Sequence, residues 1–321
     1  MRIVEYDNHA VYGYGSHSPA DIFPTPSAVT IGSFDGVHQG HRRIISRMVA
    51  IAEQRGLRSV VVTFEPHPRR VLKGPVSGPL GLLTTLEEKI ELLQAEHVDL
   101  FFVVRFTPDF ASRSSEDFIR NVLVKVLGAK SIIVGYDHAF GHNRSGTGKT
   151  LDSLGQELDF DVEVLDEVLI GNEHFSSTRI RQLLESGMIE EANEFLGFPY
   201  MISGRVVEGE KLGRRIGFPT VNLQLSQEEK LLPRAGVYLA STVIDAQRFM
   251  VMMNIGVRPT VSSEGRKTVE AHILGYCGNL YGADISFSVL RFIREERKFA
   301  NLEELKQQLE KDKITVELYC E

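Results

Sequence analysis

Two stretches of this chain place reactive side chains at spacings that chemistry can use. The first is Asp35-Gly36-Val37-His38-Gln39-Gly40-His41, between a short β-rich run, Ala28 to Phe34, and a helical pattern, Arg42 to Arg55. Such a turn ends at a helix N-terminus, where free N–H groups and the helix dipole favour anions. Gly36 and Gly40 let the backbone approach a phosphate closely. His38 and His41 can donate to phosphate oxygens and stabilise charge that builds in a transition state. The second stretch is a glycine-rich loop, with Gly209, Gly213 and Gly217 around Arg214, that leads into Phe218-Pro219-Thr220-Val221-Asn222. The glycines suit a lid over phosphates. Thr220 and Asn222 alternate with apolar neighbours on a strand and point the same way, and their oxygens are hard ligands suited to Mg²⁺. Turn residues and an edge strand fixed by Pro219 account for this second stretch equally well.

Other candidates are weaker alone. Phe64-Glu65-Pro66-His67-Pro68 is a rigid loop after a strand, serving either a site or the scaffold. Asp137 follows another strand, again at the ligand edge. In Ser176-Ser177-Thr178-Arg179 the spacing predicts Ser177 as a helix N-cap with Arg179 in the first turn. A cation there opposes the dipole and costs about 0.3–1 kcal/mol, a penalty that a polyanionic ligand would reverse. Glu270 shares a strand face with Thr268 and His272, a pattern that solvent-facing polar residues also give. Gly146-Thr147-Gly148-Lys149-Thr150 looks like the end of a phosphate-binding P-loop, but Asn143 stands where its first glycine is required. A flexible glycine-rich loop before a helix describes it better.

These residues need elements to hold them. Up to about residue 190, short buried strands (Ala28–Phe34, Ser59–Phe64, Leu100–Phe106, Ile132–Tyr136, Val162–Ile170) alternate with amphipathic helices. That alternation predicts a parallel sheet covered on both faces, with ligands beyond the carboxyl ends of its strands. Thr85-x-x-Glu88 is a capping box for a helix faced by Leu86, Ile90 and Leu93. Phe118, Val122 and Val126 mark another helix, stopped at Gly128. From Ile202 to Phe292 five or six short strands predict a small antiparallel barrel. A final helix is capped by Asn301 with Glu304 three residues on, and Leu302, Leu305 and Leu309 are expected to face inward.

Composition removes several classes. The 321 residues are 42% apolar and 25% charged, enough to fill real cores, and their length suggests two domains. A net charge of −7 argues against a broad nucleic-acid surface. The two cysteines, Cys277 and Cys320, form no Cys-x-x-Cys pair, which excludes a disulfide scaffold and a thiolate zinc site. Acids near Met1 and the absence of a long apolar run point away from a membrane and toward a soluble, cytoplasmic protein.

The ordered motifs resemble the bacterial bifunctional riboflavin kinase/FMN adenylyltransferases, also called FAD synthetases, over nearly the whole chain. Thr30 to His41, Phe64 to Pro68, Val134 to Gly141 and Ser176 to Arg181 resemble the nucleotidyltransferase module, and Gly217 to Asn222, Asn254 to Thr260, Glu270-Ala271-His272 and Leu280-Tyr281-Gly282 the kinase module. The resemblance implies a Rossmann-like, doubly wound domain at 1–187 and a β-barrel kinase domain with a closing helix at 188–321. It implies phosphorylation of riboflavin to FMN and adenylylation of FMN to FAD, each with ATP and Mg²⁺. Glu270 would be the base and His38, His41 and Arg179 would act on the phosphates. Thr220 and Asn222 would be the metal ligands. Nucleotide-binding positions would be Gly32, Phe34, Asp35, Gly36, Gly40, Asp137, Ser176, Ser177 and Thr178, and in the kinase module Gly209, Gly213, Arg214, Gly217 and Pro219. Ser33 stands where the family commonly has Asn, and Val221 where it has Ala. The competing readings are an enzyme with one active module, a flavin-binding sensor, and a nucleotidyltransferase for another acceptor. The last leaves Glu270 and Thr220 unexplained.

Overall fold

Strands whose residues alternate between two apolar layers decide the first half of the molecule. A computed structural model describes residues 1–7, 10–16, 18–22, 24–73, 81–136, 141, 146–166, 169–170, 173–209, 212–258 and 266–319. The chain divides into two units, 1–80 with 86–176, and 81–85 with 177–321.

The first unit is a seven-stranded sheet of β1 (Arg2–Tyr6), β2 (Val11–Gly13), β3 (Ser27–Ile31), β4 (Arg58–Glu65), β5 (Leu100–Arg105), β6 (Ala129–Gly135) and β7 (Asp161–Leu165). The order is β2-β1-β5-β4-β3-β6-β7, and only the β1–β2 pair is antiparallel. Val60 and Val62 of β4 pack with Phe102, Phe118, Ile119 and Leu151 on one face. Val61 packs with Phe101, Ile45, Met48 and Leu93 on the other. The covering helices are α1 (Gln39–Arg55), α2 (Pro68–Lys73), α3 (Leu86–Gln94), α4 (Pro108–Ala111), α5 (Ser115–Phe118) and α6 (Gly148–Leu158). Gly56 ends α1 in the left-handed conformation, as its position predicts.

Three local expectations change. The helix expected around Phe118 to Val126 is α5 followed by a π-helical turn, Ile119–Val124, with i→i+5 hydrogen bonding, in which Ile119, Val122 and Leu123 are buried. The fifth strand ends at Leu165, before Asp166-Glu167 break the apolar run. A separate hairpin follows, of β8 (Leu169–Ile170) and β9 (Glu173–His174). The sheet also gains β1 and β2.

The second unit is a closed antiparallel barrel of β10 (Tyr200–Val207), β11 (Val221–Leu225), β12 (Gly236–Ile244), β13 (Gln247–Arg258), β14 (Arg266–Ile273) and β15 (Asp284–Arg294), in the order β10-β11-β14-β13-β12-β15. Around it lie α7 (Ser177–Ser186), α8 (Ile189–Leu196), α9 (Leu212–Arg215) and α10 (Leu302–Glu317). Residues 81–85 belong to this unit. Leu82 bridges to Lys230, whose buried ammonium donates to Leu83 O at 2.6 Å and sits 4.3 Å from the Tyr200 ring centre. Helix α10 is capped by Asn301, whose Oδ1 accepts from Glu304 N at 2.9 Å. Its inner side carries Leu309 and Val316 against Phe218, Leu239 and Met252. The buried Asp312 accepts three hydrogen bonds from Arg294. Leu302, expected to face inward, is 40% exposed, because the helix buries the stripe 305, 309, 312 and 316 instead. Among the described residues no helix is long and apolar enough to cross a membrane.

Candidate functional sites

The first site grows from the carboxyl end of β3. The chain turns sharply there, with Phe34 at φ 45°, Gly36 at 90° and Val37 at 40°. Two non-glycine residues in the left-handed region cost about 1–3 kcal/mol each. Their side chains hold them there, since Phe34 and Val37 are both buried, as is Asp35 between them. The Phe34 ring lies over Gly32, where a Cβ would come within 3.1 Å of it.

The turn delivers His38 as the N-cap of α1, with Nδ1 accepting from His41 N at 3.4 Å. With Nδ1 an acceptor, the neutral ring carries its hydrogen on Nε2. The two imidazoles stack with centres 3.7 Å apart, and Phe34 meets His41 edge-on at 5.3 Å. A Cβ at Gly40 would lie 3.2 Å from the His38 ring and from Phe175, so this glycine has a packing reason besides any ligand. His41 is partly exposed as a residue, but its Nδ1 is buried without a hydrogen-bond partner among the described residues. Burial, then His38 and Lys89, push the His41 pKa well below the ordinary value. It is therefore a neutral group at neutral pH.

Lys89 escapes a reading by motif. It lies on the apolar stripe Leu86, Lys89, Ile90, Leu93 of α3 and is 1% exposed. A lysine at a core position of an amphipathic pattern was the available signal. Its charge also acts on Glu65, whose pKa burial raises against the pull of Lys89 and Arg70. His67 is buried, and its Nδ1 accepts from Arg69 N at 3.2 Å at the start of α2, which favours the scaffold reading of that loop. Ser177 is the first residue of α7 and not its cap. The capping position falls on Ser176, and Arg179 remains in the first turn, partly exposed, with Thr178 exposed beside it. Asp137 lies outside the described residues.

The second site is set by strand register. Asn222 of β11 is the direct partner of Glu270 of β14, and directly opposed residues project to the same face. Val269, Ala271 and Ile273 are buried on the opposite face, so Glu270 and His272 stand together on the outer one. His272 Nδ1 is 2.7 Å from Pro219 O, its ring meets Phe218 edge-on at 5.2 Å, and burial lowers its pKa. Thr220 comes just before β11, which starts at Val221. The glycine loop reaches this row. A Cβ at Gly209 would collide with the Asn222 carboxamide, and one at Gly213 with Phe218 O. Gly217 adopts φ 88°, a conformation that favours glycine.

A cleft of about 280 Å³ is walled by Thr220, Pro219, the loop from Tyr276 to Tyr281, and Val206, Val221, Ala271 and Ile273, which lie on the strand face opposite to the Asn222–Glu270 row. Arg214 borders it, donating to Tyr281 Oη at 3.2 Å with its guanidinium 5.7 Å from that ring's centre. Of this wall, Leu280 and Tyr281 belong to a stretch that resembles the kinase module, while Tyr276 to Asn279 carry no assigned role, because that stretch is less acidic here than is common in the family. For a divalent ion, no three His, Cys, Asp or Glu side chains cluster among the described residues. Thr220 instead offers a hard oxygen at the cleft, and Asn222 another from the row it shares with Glu270. Magnesium is a hard cation that takes oxygen ligands and keeps substrate phosphates among them, so the neutral oxygens of Thr220 and Asn222 fit it where the phosphates supply the charge.

Comparison with known proteins matches both halves of the chain. Residues 21–179 match the family model described as FAD synthetase, and residues 196–320 the one described as riboflavin kinase. The bifunctional riboflavin kinase/FMN adenylyltransferase of Listeria monocytogenes is 37% identical over 286 residues, covering 88% of this chain and 89% of the relative. The same-named protein of Escherichia coli K12 is 37% identical over 305 residues, covering 94% and 95%. A crystal structure described as a macrolide-efflux protein from Streptococcus pneumoniae superposes with a TM-score of 0.82 at 30% identity, over 92% of this chain and 95% of that one.

Proposed function

This chain belongs to the bifunctional riboflavin kinase/FMN adenylyltransferase family and carries both activities, and from that premise we propose how its residues divide the work. Following the family motifs, we assign residues 1–187 to adenylyl transfer and 188–321 to the kinase step, in the cytoplasm, although residues 81–85 and α7 group with the barrel unit.

In the adenylyl step an oxygen of the FMN phosphate attacks the α-phosphorus of ATP. A new P–O–P bond forms, the bond to pyrophosphate breaks, and FAD and pyrophosphate leave. The attacking oxygen is already anionic, so no protein nucleophile or base is needed. The α1 N-terminus and the Nε2–H of His38 offer donors to the phosphates, and the neutral, stacked His41 keeps the pair from repelling itself. Arg179 adds a cation on the strength of the family motif. On the strength of the same motifs, Gly32, Phe34, Asp35, Gly36, Gly40, Asp137 and Ser176 to Thr178 are assigned to nucleotide binding.

In the kinase step Glu270 accepts the proton of the ribityl 5′-hydroxyl as its oxygen bonds to the γ-phosphorus, and ADP leaves. Thr220 and Asn222 would hold Mg²⁺, which offsets charge on the transferring phosphates. Phosphoryl transfer is mostly positioning and charge stabilisation, so one carboxylate beside a metal-ligand pair and a glycine loop suffices. Gly209, Gly213, Gly217 and Pro219 shape the lid, and Arg214 borders the cleft as the group for ATP phosphates. The observation that carries the assignment is the direct pairing of Asn222 with Glu270 across β11 and β14.

The test is chromatography of the products formed from riboflavin, ATP and Mg²⁺. FMN should appear first and FAD later, and omitting Mg²⁺ should abolish both. FAD formed from supplied FMN, with no FMN from riboflavin, would refute the kinase assignment.

A further inference from the structure

The Asn222–Glu270 row continues onto a third strand. Asn254 of β13 is the direct partner of Glu270 on its other side, so all three side chains share one face. No role assigned so far uses Asn254. Its Nδ2 donates to Glu296 Oε1 at 3.3 Å, and no other hydrogen bond of its side chain occurs among the described residues. An ionised carboxylate only accepts, so the amide NH₂ must face Glu296, which leaves the amide oxygen for another donor. Gly256 permits this approach, since a Cβ there would lie 2.6 Å from Glu296 Oε1 and 3.2 Å from Asn254 Nδ2. The outcome is an oriented acceptor one strand away from the carboxylate of Glu270. Opposed residues on neighbouring strands hold their Cβ atoms about 4.5–5.5 Å apart, a spacing at which two side-chain oxygens can read hydroxyls on adjacent carbons of one chain.

We propose that Asn254 is a specificity-determining residue of the kinase site. Its Oδ1 accepts a hydrogen bond from the ribityl hydroxyl next to the one phosphorylated, and Glu296 holds the carboxamide in the orientation that allows it. The acceptor is thereby recognised as a polyol at the strand row itself, and the 5′-hydroxyl is placed on Glu270. This inference rests on the reading of Glu270 as the base.

The test compares riboflavin with 4′-deoxyriboflavin as kinase substrates. The unmodified enzyme should prefer riboflavin by about ten-fold in kcat/KM, the size of one neutral hydrogen bond. Asn254→Ala should lose that factor on riboflavin, chiefly through KM, and keep its rate on the deoxy compound, which also shows that the variant is folded. The preference then falls to about one. Glu296→Gln, which can both donate and accept and so lets the amide turn over, should lose part of the preference. A preference undiminished in Asn254→Ala, or an equal loss on both substrates, would overturn the proposal. Glu270→Gln run alongside separates two failures. If it abolishes kinase activity while Asn254→Ala keeps its preference, this inference alone is wrong. If it retains kinase activity, the base assignment beneath the inference is wrong.

Discussion

The two candidate sites are built on opposite kinds of backbone. In the first unit the groups come from an irregular turn, with Phe34 and Val37 forced to positive φ and His38 seated on a helix end. In the barrel they come from regular strands, where register alone puts Asn222, Glu270 and Asn254 in one row. The first arrangement stores strain and depends on buried neighbours to hold it. The second needs no strained residue among the row, and depends on strand pairing and on the helix that covers the barrel. The difference teaches where each site is fragile: the turn to changes in packing and protonation, the row to changes in how the barrel is closed.

The sharpest way to break the comparison is His41→Ala. It removes the stacked partner of His38 and should lower adenylyl transfer by about 10²–10³, while FMN formation from riboflavin keeps its rate. Steady-state rates with each flavin check this. A parallel loss of both activities would mean the two sites are not separable.

Next is Asp312→Ala. It strips the buried acceptor from Arg294, which lies at the end of the same strand row through Val237. The barrel should lose about 3 kcal/mol, because breaking one partner of a buried pair leaves the other uncompensated. Denaturant unfolding should show the loss, with the kinase rate falling before the adenylyl rate. A smaller effect comes from pH. His41 in the unfolded chain takes a proton near pH 6.5, and in the fold only well below it. The unfolded state therefore binds more protons below pH 6.5, and stability falls as pH drops, by at most about 1.4 kcal/mol per pH unit. His41→Gln should flatten that part of the stability profile.

Local patterns made much of this molecule readable in advance. The valine-rich β4, the glycine stop of α1, the Asn301 cap and the turn at Asp35 to His41 each depend on neighbours within a few residues. Features that depend on distant partners were not readable. The edge strand β2 is only partly buried, and β1 beside it buries only alternate residues, so no continuous apolar run announces either. Lys89 stands on the apolar stripe of α3, but its near-complete burial depends on how that helix packs. Asn254 sits in a recognisable stretch, but its meaning depends on which residue of β14 it faces, and no local pattern carries register. Leu302 was placed inward from spacing alone, one turn before the stripe that α10 buries.

The central claim is that two separately built sites perform two transfers in sequence, with Glu270 serving only the kinase step. Its most direct test is Glu270→Gln, supplied with ATP and Mg²⁺ and either riboflavin or FMN. The account predicts a drop of about 10²–10⁴ in FMN formation, the usual contribution of a positioned base, with FAD formed from FMN at the unmodified rate. Unchanged FMN formation would contradict it.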